Sequence, residues 1–158
     1  MFNPRVKTWL DEYAADHQHP TNRLIHKLCV PLIVFHVLAM LDWVHLVALP
    51  IEGWSLTLGH AAAAAVLTFY FWGSTKYGFL LTVWAAACLW VSHYTPWWLT
   101  TVLAVVLWVL QLIGHRVYEQ NTPSLSRNLI QVLIGPLFVF AVLLKDYRVG
   151  EFSAAGAR

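Results

Sequence analysis

Long apolar runs constrain this chain more than any other feature. They cover about residues 22–49, 54–72, 79–93 and 97–113, with only short polar turns between them. A bilayer core about 30 Å thick takes roughly 20 mostly apolar helical residues. Within lipid, helices satisfy every backbone hydrogen bond inside one segment. The expected fold is therefore all-α: a polytopic membrane helical bundle of four spans with an N-terminal amphipathic helix. A fifth apolar stretch, 129–144, is interrupted by Gly135 and Pro136 and either spans or re-enters. Only 11% of residues are charged, against about 25% in soluble domains. Nine Trp and six Tyr suit aromatic belts at the two interfaces.

The 158 residues allow one integral-membrane domain, 1–158. It divides into an interfacial segment (1–21), the bundle (22–144) and a polar tail (145–158). A net charge of +2 without a basic stripe gives no reason to expect a nucleic-acid partner. Cys29 and Cys88 sit in apolar runs outside any CxxC pair, so they read as buried free thiols rather than a disulfide framework. The first ten residues lack the apolar core of a cleavable signal, which leaves insertion to the first span.

Residues 4–17 carry Val6, Trp9, Leu10, Tyr13 and Ala14 at helical spacing, as in a helix lying on the membrane surface. Pro20 ends that helix by pushing His19 out of the helical region. Thr21 or Asn22 can cap the next one, which runs towards Leu49 and has Pro31 as a possible kink. Pro50–Gly53, Tyr94–Pro96 and Asn121–Ser124 read as turns. Arg5, Lys7, Arg23 and Lys27 precede the first span, which makes that side cytoplasmic. Four crossings return Arg116 and Arg127 to the same side, and His115 with them.

Tyr13 and His17, Asn22 and His26, and His115 and Glu119 are each four residues apart, so each pair shares a helix face. Imidazole suits iron, zinc and copper. His-x-x-x-Glu can supply two ligands, or one ligand and its supporting base. The plain alternative is that these histidines are solvated at the interface. His36 reads as a packed histidine inside the first span, and His45, His60 and His93 as interfacial or capping. Asp42 either pairs with His45 or marks the wet end of that span. The residues alone give a membrane protein with a possible His-rich metal site and leave the reaction open.

The combination Tyr13, His17, Pro20, Asn22, His26 and Pro31, followed by Gln111, Gly114, His115, Glu119 and Pro123, resembles the family of small membrane proteins that includes the fungal 2-hydroxy-fatty-acid (2-hydroxypalmitate) dioxygenase. That resemblance covers nearly the whole chain. It implies an Fe(2+)-dependent oxidoreductase of fatty-acid α-oxidation that uses O2 to shorten a 2-hydroxy fatty acid by one carbon. It also implies His17, His26 and His115 as metal ligands and catalytic residues together with Glu119. Asn22, His19, Tyr13, Arg23 and Arg116 are then substrate-facing or supporting residues. The final stretch in such proteins often ends with a glutamate, where this chain has Val142, Leu143 and Leu144.

Partners would be a 2-hydroxy fatty acid, O2 and membrane lipid. The location would be a bacterial inner membrane or endoplasmic-reticulum type membrane, with the metal-site face cytoplasmic. Two other classes compete: a zinc-dependent lipid hydrolase, and a non-enzymatic transporter or scaffold. The chain lacks the inverted halves with matching broken helices that would favour a transporter. Oligomeric state and substrate chain length stay open.

Overall fold

The computed structural model of the chain describes residues 2–51, 53–120 and 130–147. Its elements are α1 (Pro4–Ala15), α2 (Pro20–Asp42), β1 (His45–Ala48), β2 (Ser55–Thr57), α3 (Leu58–Gly73), α4 (Thr75–Ser92), α5 (Trp97–Ile113), a π-helical turn (Gly114–Tyr118) and α6 (Ile130–Leu143). The expected turn at Asn121–Ser124, Pro123 of the motif, Arg127 and most of the polar tail lie outside the described residues. The described residues divide into two compact units, one within residues 32–108 and one of residues 2–31 with those from 109 on.

In the first unit, Leu38, Ala63, Ala85 and Cys88 form a buried cluster flanked by Val34, Phe35, Trp84 and Leu89. Gly59 permits close approach there: a Cβ would come within 3.0 Å of the Leu38 carbonyl oxygen. Asp42 ties three elements together. Its carboxylate accepts from Thr57 Oγ1 at 2.6 Å and Ser92 Oγ at 2.8 Å, and His60 Nδ1 lies 3.6 Å away. Thr57 and His60 also form a capping box at the start of α3. His45 is exposed on its strand, so the expected Asp42–His45 pair does not form; Asp42 ends α2, next to exposed residues, and is a shared anchor for α2, α3 and α4.

The all-α expectation needs one correction. α2 stops at Asp42, and β1 pairs antiparallel with β2 through His45↔Thr57, Val47↔Leu56 and Ala48↔Ser55. Its loop places Gly53 at φ +77, a conformation that glycine adopts without steric cost. A short run such as His45–Leu49 cannot be told from helix by periodicity alone.

In the second unit, α1 packs against α6. Asn3 caps α1 by accepting from the Arg5 amide at 3.0 Å, and Pro4 occupies the first turn, where its missing N–H costs nothing. Val6 and Leu10 are fully buried. The apolar face expected to meet membrane is thus covered by protein. Gln131 Nε2 donates to Glu12 at 3.3 Å and the Tyr147 hydroxyl donates to Asp11 at 2.6 Å, which fastens α6 to α1. Gly135 lets the Tyr13 hydroxyl approach α6, since a Cβ there would stand 3.2 Å from it.

Two helices are long and apolar enough to cross a membrane, Pro20–Asp42 and Trp97–Tyr118, and both leave most of their apolar windows exposed. A core helix of a soluble domain buries such a surface. α6 has 14 residues, a rise of about 21 Å, which is short of a span. It runs unbroken through Pro136, with Ile134, Leu137, Val139 and Ala141 all buried. Among the described residues it is the core helix of the second unit.

Candidate metal centre

Three histidines from separate segments meet inside the second unit. His17 follows the end of α1, His26 lies nearly two turns into α2, and His115 sits in the π turn after α5. All three are buried, and one ring nitrogen from each lies within 4.8 Å of the others. Ring centroids are 4.3 Å apart for His17–His26, 4.9 Å for His17–His115 and 5.0 Å for His26–His115.

The four-residue spacing explains how the first two are aimed. His17 Nδ1 donates to the Tyr13 carbonyl oxygen at 2.6 Å, and His26 Nδ1 donates to the Asn22 carbonyl oxygen at 3.0 Å. A carbonyl can only accept, so each Nδ1 carries the proton and each Nε2 presents a lone pair. These Nε2 atoms face each other at 3.1 Å. Two unprotonated nitrogens repel at that distance unless a cation is shared between them. A proton would make one ring an imidazolium. Burial chiefly, with neighbouring His115 adding to it, outweighs the hydrogen bond that His17 donates to the Tyr13 carbonyl and pushes His17 down to about 4.

A metal ion fits the site instead. Two nitrogens each about 2.0–2.1 Å from one ion stand about 3.0 Å apart at a right angle and about 3.4 Å apart in a tetrahedron. The 3.1 Å separation lies in that interval. His115 Nδ1 is buried without a hydrogen-bond partner among the described residues, as expected of a donor set awaiting a cation. Histidine ligands usually donate their other N–H to a carbonyl, and His17 and His26 do.

The lowered His17 value also makes a prediction. Relative to the ordinary 6.5, a folded value of about 4 means that the folded state binds fewer protons than the unfolded state between those pH values. Metal-free protein should therefore be most stable above pH 6.5 and lose roughly 3 kcal/mol from this group as pH falls through 4. Thermal melts of chelator-treated protein between pH 7.5 and 4 should show the decline, and His17→Gln should make it shallower.

The expected supporting residues fall into distinct places. Tyr13 stacks on His17, with centroids 4.0 Å apart and planes 11° apart, and tilts against Phe138 at 4.9 Å. Burial, with Asp16 nearby, raises its phenol above the usual range, so it stays protonated. Arg23 is half-buried beside Asn22, and Arg116 is exposed beside His115. His19 accepts from the Thr21 amide at 3.2 Å, and its ring lies 5.1 Å from Tyr118; the residue before Pro20 thus helps to start α2.

Glu119 departs from its expected place. The segment is π-helical, with the Glu119 amide bonded to the Gly114 carbonyl at 3.2 Å, so the simple helical face shared with His115 is lost. π turns recur at functional sites because they re-aim side chains. One carboxylate oxygen of Glu119 accepts from the His19 amide at 2.8 Å and from Asn22 Nδ2 at 3.1 Å. Glu119 thus clips the π turn to the start of α2 and fixes the residue whose carbonyl orients His26. Glu119→Gln should keep metal stoichiometry but lower metal affinity by about 10- to 100-fold, the usual effect of losing such outer support. Titration with a competing chelator measures it.

Phe138 carries no signal in the sequence, because nothing distinguishes it within an apolar run. It stands 6.5 Å from the His17 ring, centroid to centroid.

The profile of the family described as 2-hydroxy-palmitic acid dioxygenase Mpo1-like matches residues 4–147, a range holding all three histidines. The chain belongs to the Mpo1-like family. It is also similar to the 2-hydroxy-palmitic acid dioxygenase MPO1 of Saccharomyces cerevisiae, 29% identical over 146 residues that cover 89% of this chain and 80% of the yeast protein. No solved structure matches it. Membership of the Mpo1-like family and this relative support a 2-hydroxy-fatty-acid dioxygenase-like role.

Proposed function

We propose that this protein is a membrane-resident, Fe(2+)-dependent dioxygenase that shortens 2-hydroxy fatty acids by one carbon. The observation that carries the metal assignment is the pair of Nε2 lone pairs facing each other at 3.1 Å. The substrate follows from the family and from the name of the yeast relative. The overall change would be RCH(OH)COOH + O2 → RCOOH + CO2 + H2O, in which the bond between carbons 1 and 2 breaks. The acid loses four electrons to O2, and all five oxygen atoms are accounted for.

His17, His26 and His115 would hold the ion as neutral donors. When bound, ferrous iron supplies one-electron chemistry with O2 and leaves positions free beside three protein ligands. The chain's own groups do the rest. Tyr13 and Phe138 wall the cluster with aromatic surface. Glu119 and Asn22 keep the second ring in its tautomer. Arg23 and Arg116, next to Asn22 and His115 in the chain, would draw an acyl carboxylate towards the site, while the acyl chain would lie along apolar helices. In the membrane, α2 and α5 cross, α3 and α4 complete four crossings, and the Arg5, Lys7, Arg23 and Lys27 side faces the cytoplasm.

The test is metal analysis of anaerobically purified protein followed by incubation with 2-hydroxypalmitate and O2. About one iron per chain and O2-dependent release of the fifteen-carbon acid are expected. Stoichiometric zinc with no O2 dependence would replace this reading with a hydrolytic one.

A further inference from the structure

Gln111 lies four residues before His115. On this segment Gln111, Gly114 and His115 are buried, whereas Val109, Leu110, Leu112, Ile113, Val117 and Tyr118 are exposed. The buried stripe that carries His115 into the metal cluster therefore carries Gln111 too, one helical turn further into the apolar part of the helix. Gln111 is 8% exposed, and its Nε2 has no hydrogen-bond partner among the described residues. A buried amide donor left unpaired is costly. A second unpaired group lies on the same unit: Asn22 Oδ1, an acceptor that faces Gly114.

We propose that Gln111 is a substrate-binding residue whose Nε2 hydrogens donate to an oxygen of the 2-hydroxy acid head group held at the histidine cluster. The inference rests on the substrate class proposed above. A plain hydrocarbon offers this amide no acceptor. A 2-hydroxy acid brings three oxygens, and its hydroxyl can also donate to an unpaired acceptor such as Asn22 Oδ1. Gln111 would then help to select an oxygenated head group over the methylene chain behind it and fix how deeply the acid enters.

Gln111→Leu, similar in size and without a donor, tests this. In full-length detergent-solubilised protein, the variant should bind iron as wild type does and melt at or above the wild-type temperature, because an unpaired buried donor has been removed. Its KM for 2-hydroxypalmitate should rise roughly ten- to hundredfold, the value of a hydrogen bond to a charged group, with a smaller change in kcat. Calorimetric binding of 2-hydroxypalmitate to metal-loaded protein under anaerobic conditions should weaken by the same factor. Unchanged KM and binding in an active variant would overturn the role of Gln111 alone. So would a large fall in melting temperature with lost iron, which would mark the amide as structural. A wild type that neither binds nor turns over 2-hydroxypalmitate would overturn the substrate reading and this inference with it.

Discussion

Replacing His26 with alanine should leave the purified protein without bound iron and without measurable conversion of 2-hydroxypalmitate. His26 supplies one of two Nε2 atoms only 3.1 Å apart, and its tautomer is fixed by the Asn22 carbonyl oxygen. No other carboxylate, thiol or imidazole joins the cluster among the described residues, so nothing replaces the lost donor. Metal chemistry is worth several kcal/mol of transition-state stabilisation. At tenfold per 1.4 kcal/mol, activity should fall roughly 10³-fold or more. His17→Ala and His115→Ala should do the same. The metal-free fold should survive each change, because α1 and α6 pack through Val6, Leu10, Ile134 and Leu137. Elemental analysis and product release, read with far-ultraviolet circular dichroism, check the prediction. Full iron content in any of the three alanine variants would remove that histidine from the ligand set.

The second large effect is expected at a residue that cannot itself bind anything. Gly114 opens the π turn, and a Cβ there would collide with Asn22 Oδ1. Asn22 cannot step aside freely. It is fully buried, its Nδ2 is held by Glu119 at 3.1 Å, and its carbonyl oxygen holds His26 Nδ1 at 3.0 Å. Gly114→Ala therefore displaces a side chain that positions a ligand. Forcing extra volume into a packed interior costs about 1–3 kcal/mol, and loosening such a support costs 10- to 100-fold in metal affinity. Gly114→Val should be worse on both counts. Thermal melts and chelator competition measure the two effects. Wild-type values for both variants would mean that the close approach of α2 and the π turn is unimportant.

Helix geometry made part of this site readable in advance. Tyr13/His17 and Asn22/His26 are four apart, and that spacing brings each ring nitrogen to the carbonyl one turn earlier. The polar-to-apolar change at Trp97 and the glycine at Gly114 bound α5 where it was expected. Other features depend on contacts that no local pattern carries. His115 and Glu119 look like a helical pair, but a π turn separates their roles. Asp42 looks like a partner for His45, yet its hydrogen bonds go to Thr57 and Ser92 from elements far along the chain. The His45–Leu49 run is too short for periodicity to tell strand from helix. The wall formed by α6 was hidden because Phe138 is one apolar residue among many. Protein covers the face of α1 expected at the surface, and a related reason hides this in the sequence: an amphipathic helix has the same pattern whether lipid or another helix covers it.

The most direct test of the whole account is X-ray absorption at the iron edge on protein loaded with one equivalent of ferrous ion under anaerobic conditions. The account predicts stoichiometric iron with outer-shell scattering from imidazole rings in the wild type, and no bound iron to scatter from in His17→Ala, His26→Ala and His115→Ala. Iron that fails to bind at one equivalent, or a spectrum free of imidazole scattering, would contradict it.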